Sequence, residues 1–355
     1  MRKHVCEGRF YDEHLPETLR CRCFPENGGV SSWFFSHPRV FTDAGKFCEL
    51  PDLLPRRTET VPVNVILRPN TGFFVAIDMH KVKQDMAERL LEGKVALVTG
   101  AGRGLGRGFA EHLAALGCRV GVHGMRENGP AEYGEGTTLT QTAAEIGETH
   151  QSATCRVLGD LTCPEQVQRV FAEVTEQLGA VDILIHNAGG DIAAAGGKPN
   201  PNDCVAIKLE DVQSVLNRNL LSTILVCQEA AKIMMPRKQG RILTISSISA
   251  FRGIANSAIY ATAKAGVVEY TRCLAEQLRP HNINVNTLAP GDTRTGRFLG
   301  TRAVPEERLA TDGTLDRIGL VDEVTRVCEF FAGPLGAFVT GQVLRVDGGS
   351  QIWPA

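Results

Sequence analysis

The chain has 355 residues, 43% of them apolar and 22% charged, which suits a globular protein with one large domain and an appendage or with two modest domains. A formal net charge of −2 gives no field that would draw it to nucleic acid or to an anionic membrane surface. Eleven cysteines, scattered and odd in number, argue against a secreted disulfide framework and for reduced thiols; without a signal-like or membrane-spanning apolar run, the expected compartment is the cytoplasm.

Residues 1–85 show little helical or strand periodicity and are expected to form an irregular or partly disordered extension, ahead of a functional chain that starts near Met86. Within it Val61 to Leu67 reads as a short edge strand. Cys21 and Cys23, with His4, His14 and His37 nearby in sequence, lack the two-residue gap usual for a structural zinc site, so no metal is expected.

From Leu91 onward apolar strand-like runs alternate with amphipathic helices. Strands are predicted at 95–99, 119–123, 154–158, 181–186, 241–246, 284–288 and 343–346, and helices at 104–116, 138–148, 164–178, 209–235, 257–279 and 322–332. This order predicts an α/β fold: a three-layer, doubly wound Rossmann domain with a seven-stranded parallel sheet, spanning 86–355.

The first strand runs into Thr99-Gly100-Ala101-Gly102-Arg103-Gly104-Leu105-Gly106. Glycines at 100, 104 and 106 allow a tight turn, close approach of a pyrophosphate and close packing of the next helix, whose N-terminus favours an anion. The second strand ends in Val122-His123-Gly124-Met125-Arg126, with no acid before Glu127 to take a ribose 2′-hydroxyl. Arg126 and Arg103 are therefore expected to flank a 2′-phosphate, which makes NADP the expected cofactor and NAD the less favoured one; the alternative is that both arginines are solvated and Glu127 reads the ribose. Asp160-Leu161 and Asn187-Ala188-Gly189 follow the third and fourth strands, at the edge where ligands of open α/β sheets bind.

Tyr260 and Lys264 are four apart and share a helix face. Bringing a phenol from a pKa near ~10 to roughly 7 takes about 4 kcal/mol of preference for the phenolate. One ammonium about 4 Å away contributes that much at an effective dielectric of ~20. Ser247, at the end of an apolar run, can place a hydroxyl at a strand's carboxyl end, with Ser246 and Ser249 as neighbouring alternatives.

Residues 91–350 resemble the short-chain dehydrogenases/reductases through the loop at 99–106, Asp160, the HNAG run at 186–189, Asn219 in NRNLL, Ser247, Tyr260-x-x-x-Lys264, Pro290-Gly291 with Thr295, and the closing Val346-Asp347-Gly348-Gly349. The resemblance implies a catalytic tetrad. Tyr260 would be the general acid/base, Lys264 would lower its pKa and hold the nicotinamide ribose, Ser247 would hydrogen-bond the substrate oxygen, and Asn219 would anchor a proton-relaying water. It also implies nicotinamide near Pro290, Gly291 and Thr295, and a homotetramer or homodimer built through the helices at 209–235 and 257–279.

Two departures stand out. His186 replaces the family's usual asparagine and reads as a core histidine, and the segment 190–209 is longer than usual, able to contact substrate through Asp191 or Lys198, or else a neighbouring subunit. Arg294, Arg297, Arg302 and Arg308 lie in a polar segment after Gly291 that is expected to set specificity, for a small molecule such as a sugar, polyol or 3-oxoacyl thioester. The expected activity is a ketoreductase-type interconversion of a secondary alcohol and a ketone; an epimerase or dehydratase, or a cofactor-sensing regulator, are the alternatives.

Overall fold

The computed structural model describes residues 90–352, together with the backbone of several short strands before them. The chain divides into two units, Met1–Met86 and Ala87–Ala355. In the first unit, Arg22–Pro25, Ser31–Phe34, Val63–Leu67 and Phe73–Ala76 form an antiparallel sheet in that order. Val63–Leu67 is thus paired on both sides, not at an edge as its sequence suggested. Strands of two to five residues are too short for apolar alternation to register. The cysteines and histidines considered for zinc lie outside the residues whose side chains are described.

The second unit is built on seven strands: β1 (Val95–Thr99), β2 (Arg119–Gly124), β3 (Thr154–Leu158), β4 (Ile183–His186), β5 (Gly240–Ile245), β6 (Ile283–Pro290) and β7 (Val343–Val346). All pair in parallel, in the order β3-β2-β1-β4-β5-β6-β7. Every residue of β1, β4 and β6 is buried, as expected for continuous apolar strands covered on both faces.

One face is covered by α1 (Gly104–Ala115) and α2 (Leu139–His150), whose Phe109, Leu113, Leu139 and Ile146 meet Ala96, Val98 and Val120. The other is covered by α3 (Pro164–Leu178) and by the helices on either side of β5, through Val170, Phe171, Val226, Met234 and Leu274. Strand order reverses between β1 and β4, opening the crevice at their carboxyl ends where ligands of such sheets bind.

The long helix expected over 209–235 is interrupted. It consists of α4 (Leu209–Leu216), a π-turn at Asn217–Leu221 and α5 (Ser222–Arg237). Side chains explain the break: Asn219 Nδ2 donates to the Val215 carbonyl at 2.8 Å, and the hydroxyls of Ser222 and Thr223 donate to the carbonyls of Arg218 and Asn219 at 2.7 and 2.6 Å. Groups inserted into the i→i−4 ladder widen it, and such bulges recur at functional sites. Next come α6 (Ala258–Leu278), which carries Tyr260 and Lys264, and α7 (Gly296–Thr301), too short to show in the sequence. The helix expected at 322–332 is two segments, α8 (Val321–Thr325) and α9 (Val327–Ala332). Among the described residues no helix is long and apolar enough to cross a membrane, and all seven cysteines are free.

Candidate active site

The glycine loop closes tightly on itself. A Cβ on Gly106 would lie 1.9 Å from the Gly100 carbonyl oxygen, so only glycine permits this start to α1. The Asn187 side chain, from the end of β4, donates to the Thr99 and Gly100 carbonyls at 3.3 Å each. The Thr99 hydroxyl accepts the backbone N–H groups of Asn187 and Ala188 at 3.0 and 3.1 Å. The two loops that flank the crevice are thereby locked together. Gly104 opens α1 with φ +53°, and its N–H is held by a carboxylate oxygen of Glu135. The other Glu135 oxygen accepts from Gly296 N at 2.5 Å, beside Thr295, which caps α7 by accepting from Phe298 N at 3.1 Å. A carboxylate thus stands at the helix N-terminus, between two loops, where a dinucleotide's diphosphate would be bound, and the donor set fits that anion.

Beside the end of β2, Arg103 and Arg126 both pair with Glu132, at 3.0 and 3.7 Å. Arg103 also donates to Gly129 O and stacks over Tyr133, its guanidinium carbon 4.6 Å from the ring centre. Glu127 is engaged elsewhere: it accepts from Thr140 N at 2.9 Å in the first turn of α2 and pairs with Arg156 at 3.2 Å. The Asp160 carboxylate caps its own turn, accepting the Thr162 N–H and hydroxyl at 2.9 and 2.8 Å. Leu161 points into the core and offers a ligand only its backbone, while Leu105 is half-buried against the α1 side of the core.

The tetrad residues assemble at the same edge. Ser247 follows β5, accepts from Ser249 N at 3.1 Å, and its hydroxyl lies on the Tyr260 side, where it lowers the phenol's pKa. Ser246 is buried and donates to the Lys264 carbonyl at 2.8 Å, so of the neighbouring serines it is Ser247 that meets the phenol. Lys264 is buried, its ammonium donating to the Ile245 carbonyl at 2.8 Å and lying 5.7 Å from the centre of the Tyr260 ring. Asn219 grips the loop after β4 from both sides, accepting from Gly190 N at 2.8 Å and donating to Gly190 O at 2.9 Å. Gly189 has no room for a side chain, because a Cβ there would lie 2.6 Å from Asn219 Oδ1 and 3.3 Å from Lys264 Nζ. Pro290 ends β6, and the Gly291 N–H is tied to Val346 O at 2.9 Å.

Electrostatics differ from the sequence expectation in one respect. Burial is the main influence on the Tyr260 phenol and raises its pKa, while Ser247, Arg297 and Arg302 lower it and Asp191 raises it. Burial also depresses Lys264 to about 8. Desolvation outweighs the stabilisation of a phenolate, so the phenol is held in its protonated, proton-donating form.

Two buried histidines brace these loops: His123, which escaped notice in the sequence, and His186, which was read there as a core histidine. His123 Nε2 donates to Gly159 O at 3.1 Å and Nδ1 accepts from Gly100 N at 3.3 Å, pinning the glycine loop to the end of β3. His186 Nδ1 accepts from the Thr99 hydroxyl at 3.0 Å, and Nε2 faces Ser222 Oγ at 3.5 Å. Both nitrogens have partners, as for a core histidine. The run Val122-His123-Gly124 was the available signal for His123, because a polar residue inside a buried strand requires partners.

The family model described as enoyl-(acyl carrier protein) reductase matches residues 100–351. A 3-oxoacyl-(acyl-carrier-protein) reductase of Vibrio cholerae is 34% identical over 263 residues, covering 73% of this chain and 98% of the relative. A cyclohexanol dehydrogenase of a Rhodococcus species is 36% identical over 268 residues, covering 73% and 96%. The crystal structure of a levodione reductase, 28% identical, superposes with a TM-score of 0.63 over 73% of this chain and 98% of that one. The glycine loop, the π-turn with Asn219 and the joined Ser247, Tyr260 and Lys264 lie within that matched span, and the chain belongs to the short-chain dehydrogenase/reductase family of nicotinamide-dependent oxidoreductases.

Proposed function

We propose that the protein is an NADP-dependent oxidoreductase that interconverts a ketone and a secondary alcohol of a small-molecule substrate, with Tyr260 as general acid/base. The observation that carries this is the gathering of Ser247, Tyr260 and the buried Lys264 at the strand edge that also bears the glycine loop. When bound, the nicotinamide supplies the hydride to the carbonyl carbon. The Tyr260 phenol gives its proton to the carbonyl oxygen, the Ser247 hydroxyl donates a hydrogen bond to that oxygen as charge develops, and the Lys264 ammonium offsets the phenolate that remains. Asn219 acts by fixing Gly190, and through it the loop that walls the site. In the oxidative direction each step reverses.

The cofactor residues in this reading are Gly100, Arg103, Gly104, Leu105, Gly106, Arg126, Asp160, Leu161, Asn187, Ala188, Gly189, Tyr260, Lys264, Pro290, Gly291 and Thr295, lining one crevice from the ends of β1 to β6. NADP is preferred because Arg103 and Arg126 converge, with Glu132 between them for a 2′-phosphate to displace, while Glu127 is committed to α2 and Arg156. The assembly is a homotetramer or homodimer, the compartment the cytoplasm, and residues 86–355 carry the activity. Tyr260→Phe is the test: NADPH oxidation with ketones, followed at about 340 nm, falls by about three orders of magnitude or more while NADPH affinity stays within a few-fold. Turnover within tenfold of the parent excludes the role given to Tyr260.

A further inference from the structure

Beyond the tetrad, a second set of charged groups gathers around the Tyr260 hydroxyl. Gly190, gripped by Asn219, packs directly under Arg297 of α7: a Cβ on Gly190 would lie 2.2 Å from a guanidinium nitrogen. Arg297 also donates to the Asp191 carbonyl at 3.2 Å. The Asp191 carboxylate is buried. Its Oδ2 accepts from Asn202 Nδ2 at 2.8 Å and from Ser257 Oγ at 2.7 Å, while its Oδ1 is buried with no hydrogen-bond partner. Ser257 stands just before α6 and one turn ahead of Tyr260, so this network lies on the phenol's side of the helix.

Arg302, at the other end of α7, stacks on Phe298 with its guanidinium carbon 4.5 Å from the ring centre, and is half exposed with only a 3.8 Å approach to Asp292. Lys198 comes from the long loop after β4; burial, Arg302 and Arg297 depress its pKa while Asp191 raises it, and among the described residues no ion pair holds it. The other two arginines of this segment are spoken for. Arg294 donates to Leu309 O, and Arg308 pairs with Asp292.

We propose that the substrate carries an oxyanion, a carboxylate or a phosphate, which Arg297 and Arg302 hold beside the carbonyl that Tyr260 protonates. Among the described residues no ion pair holds Arg297, Arg302 has only the long approach to the Asp292 that Arg308 shares, and Asp191 already spends one oxygen on Asn202 and Ser257. The surplus of positive charge therefore awaits an anion from outside the chain, and a planar guanidinium fork suits either oxyanion. The place of these arginines beside the phenol makes this a specificity device of the reaction proposed above, on which it rests.

Matched pairs test it: acetoacetate against methyl acetoacetate, and dihydroxyacetone phosphate against dihydroxyacetone, each reduced with NADPH. At least one anion is expected to exceed its neutral partner in kcat/KM by about 10- to 100-fold, the span that charged hydrogen bonds supply. The pair that shows the preference tells carboxylate from phosphate. Arg297→Gln, and Arg302→Gln as the more exposed variant that tolerates replacement, collapse that ratio mainly through KM. Equal or better use of both neutral partners, or ratios unchanged in both variants, overturns the proposal. If no ketone is turned over, the oxidoreductase reading fails separately, and equilibrium titration of Tyr260→Phe protein with the same anions decides. Saturable binding that Arg302→Gln weakens about tenfold sustains the anion site, and no binding overturns it.

Discussion

The carboxylate of Glu135 bridges the N–H groups of Gly104 and Gly296, and so occupies the anion position at the head of α1 with a group from the chain itself. An anion at a helix N-terminus gains from the free donors and the helix dipole there. A dinucleotide diphosphate bound at this loop, as proposed, would need the same donors and carry the same sign, and so would have to displace Glu135.

Replacing Glu135 by glutamine keeps the size of the side chain and removes its charge. Dinucleotide affinity is expected to rise by about fivefold, since such end effects are worth about 1 kcal/mol. Titration of protein fluorescence with NADPH, parent against Glu135→Gln, reads this directly. Unchanged or weaker binding would show that Glu135 is not a competitor for the diphosphate.

The adenosine end makes a different prediction. Arg103 and Arg126 share Glu132, and Arg126 is the more exposed of the two. Losing Arg126 removes one of two cations from an expected 2′-phosphate and leaves the NADH complex without a comparable loss. Arg126→Ala is expected to raise KM for NADPH by about tenfold, a charged hydrogen bond's worth, and to leave KM for NADH within about twofold. A parent enzyme that prefers NADH, with that preference intact in Arg126→Ala, would overturn the NADP assignment.

The role proposed for Lys264 predicts an alkaline limit to ketone reduction. Its ammonium is buried and its pKa depressed to about 8, so it loses its proton as pH rises through that value. The Tyr260 phenol, raised by burial, is still protonated there, so the missing element above pH 8 is the positive charge that stabilises the phenolate product. The kcat/KM for reduction is expected to fall above about pH 8, with Lys264→Arg retaining a flat profile at lower activity. A profile flat to pH 10 in the parent would rule out a lysine with this pKa in the step. The same shift has a stability consequence of known sign: between about 8 and 10.5 the unfolded chain binds the extra proton, so stability rises with pH in that window.

Strands β1 and β3 and helix α3 lie where apolar periodicity puts them, because buried parallel strands and amphipathic helices write their burial directly into the sequence. Gly106 was legible too, since its crowding follows from the turn that the spacing imposes. The break at Asn217–Leu221 was not. The local sequence NRNLL is compatible with a helix, and only the competition of Asn219, Ser222 and Thr223 side chains for carbonyls opens the ladder. Glu135 escaped because it lies far along the chain from Gly104, in a segment with no periodicity to position it. The split of the four arginines, two toward Tyr260 and two away, likewise depends on how a short helix and its flanking turns are aimed.

His186 and His123 predict acid lability. Both are buried and neutral, with pKa values depressed to about 3 and about 4; burial is the main cause in each. Lys264 and His123 depress His186 further, while the hydrogen bond to Gly159 and the Asp160 carboxylate partly oppose the shift at His123. In the unfolded chain each titrates near ~6.5. Below that value the unfolded state takes up protons that the folded state refuses, so stability falls as pH drops from about 6.5 toward the folded values, and it is fully present above 6.5. At about 1.4 kcal/mol per pKa unit, several kcal/mol are lost by pH 4. Urea unfolding between pH 7.5 and 4.5 measures the slope. His186→Asn offers the Thr99 hydroxyl an amide oxygen in place of Nδ1 and carries no titrating group, so it is expected to cost about 1–2 kcal/mol at pH 7.5 through imperfect packing while visibly flattening the loss toward pH 4.5. A variant that loses stability on acidification as steeply as the parent would assign the acid transition to other groups.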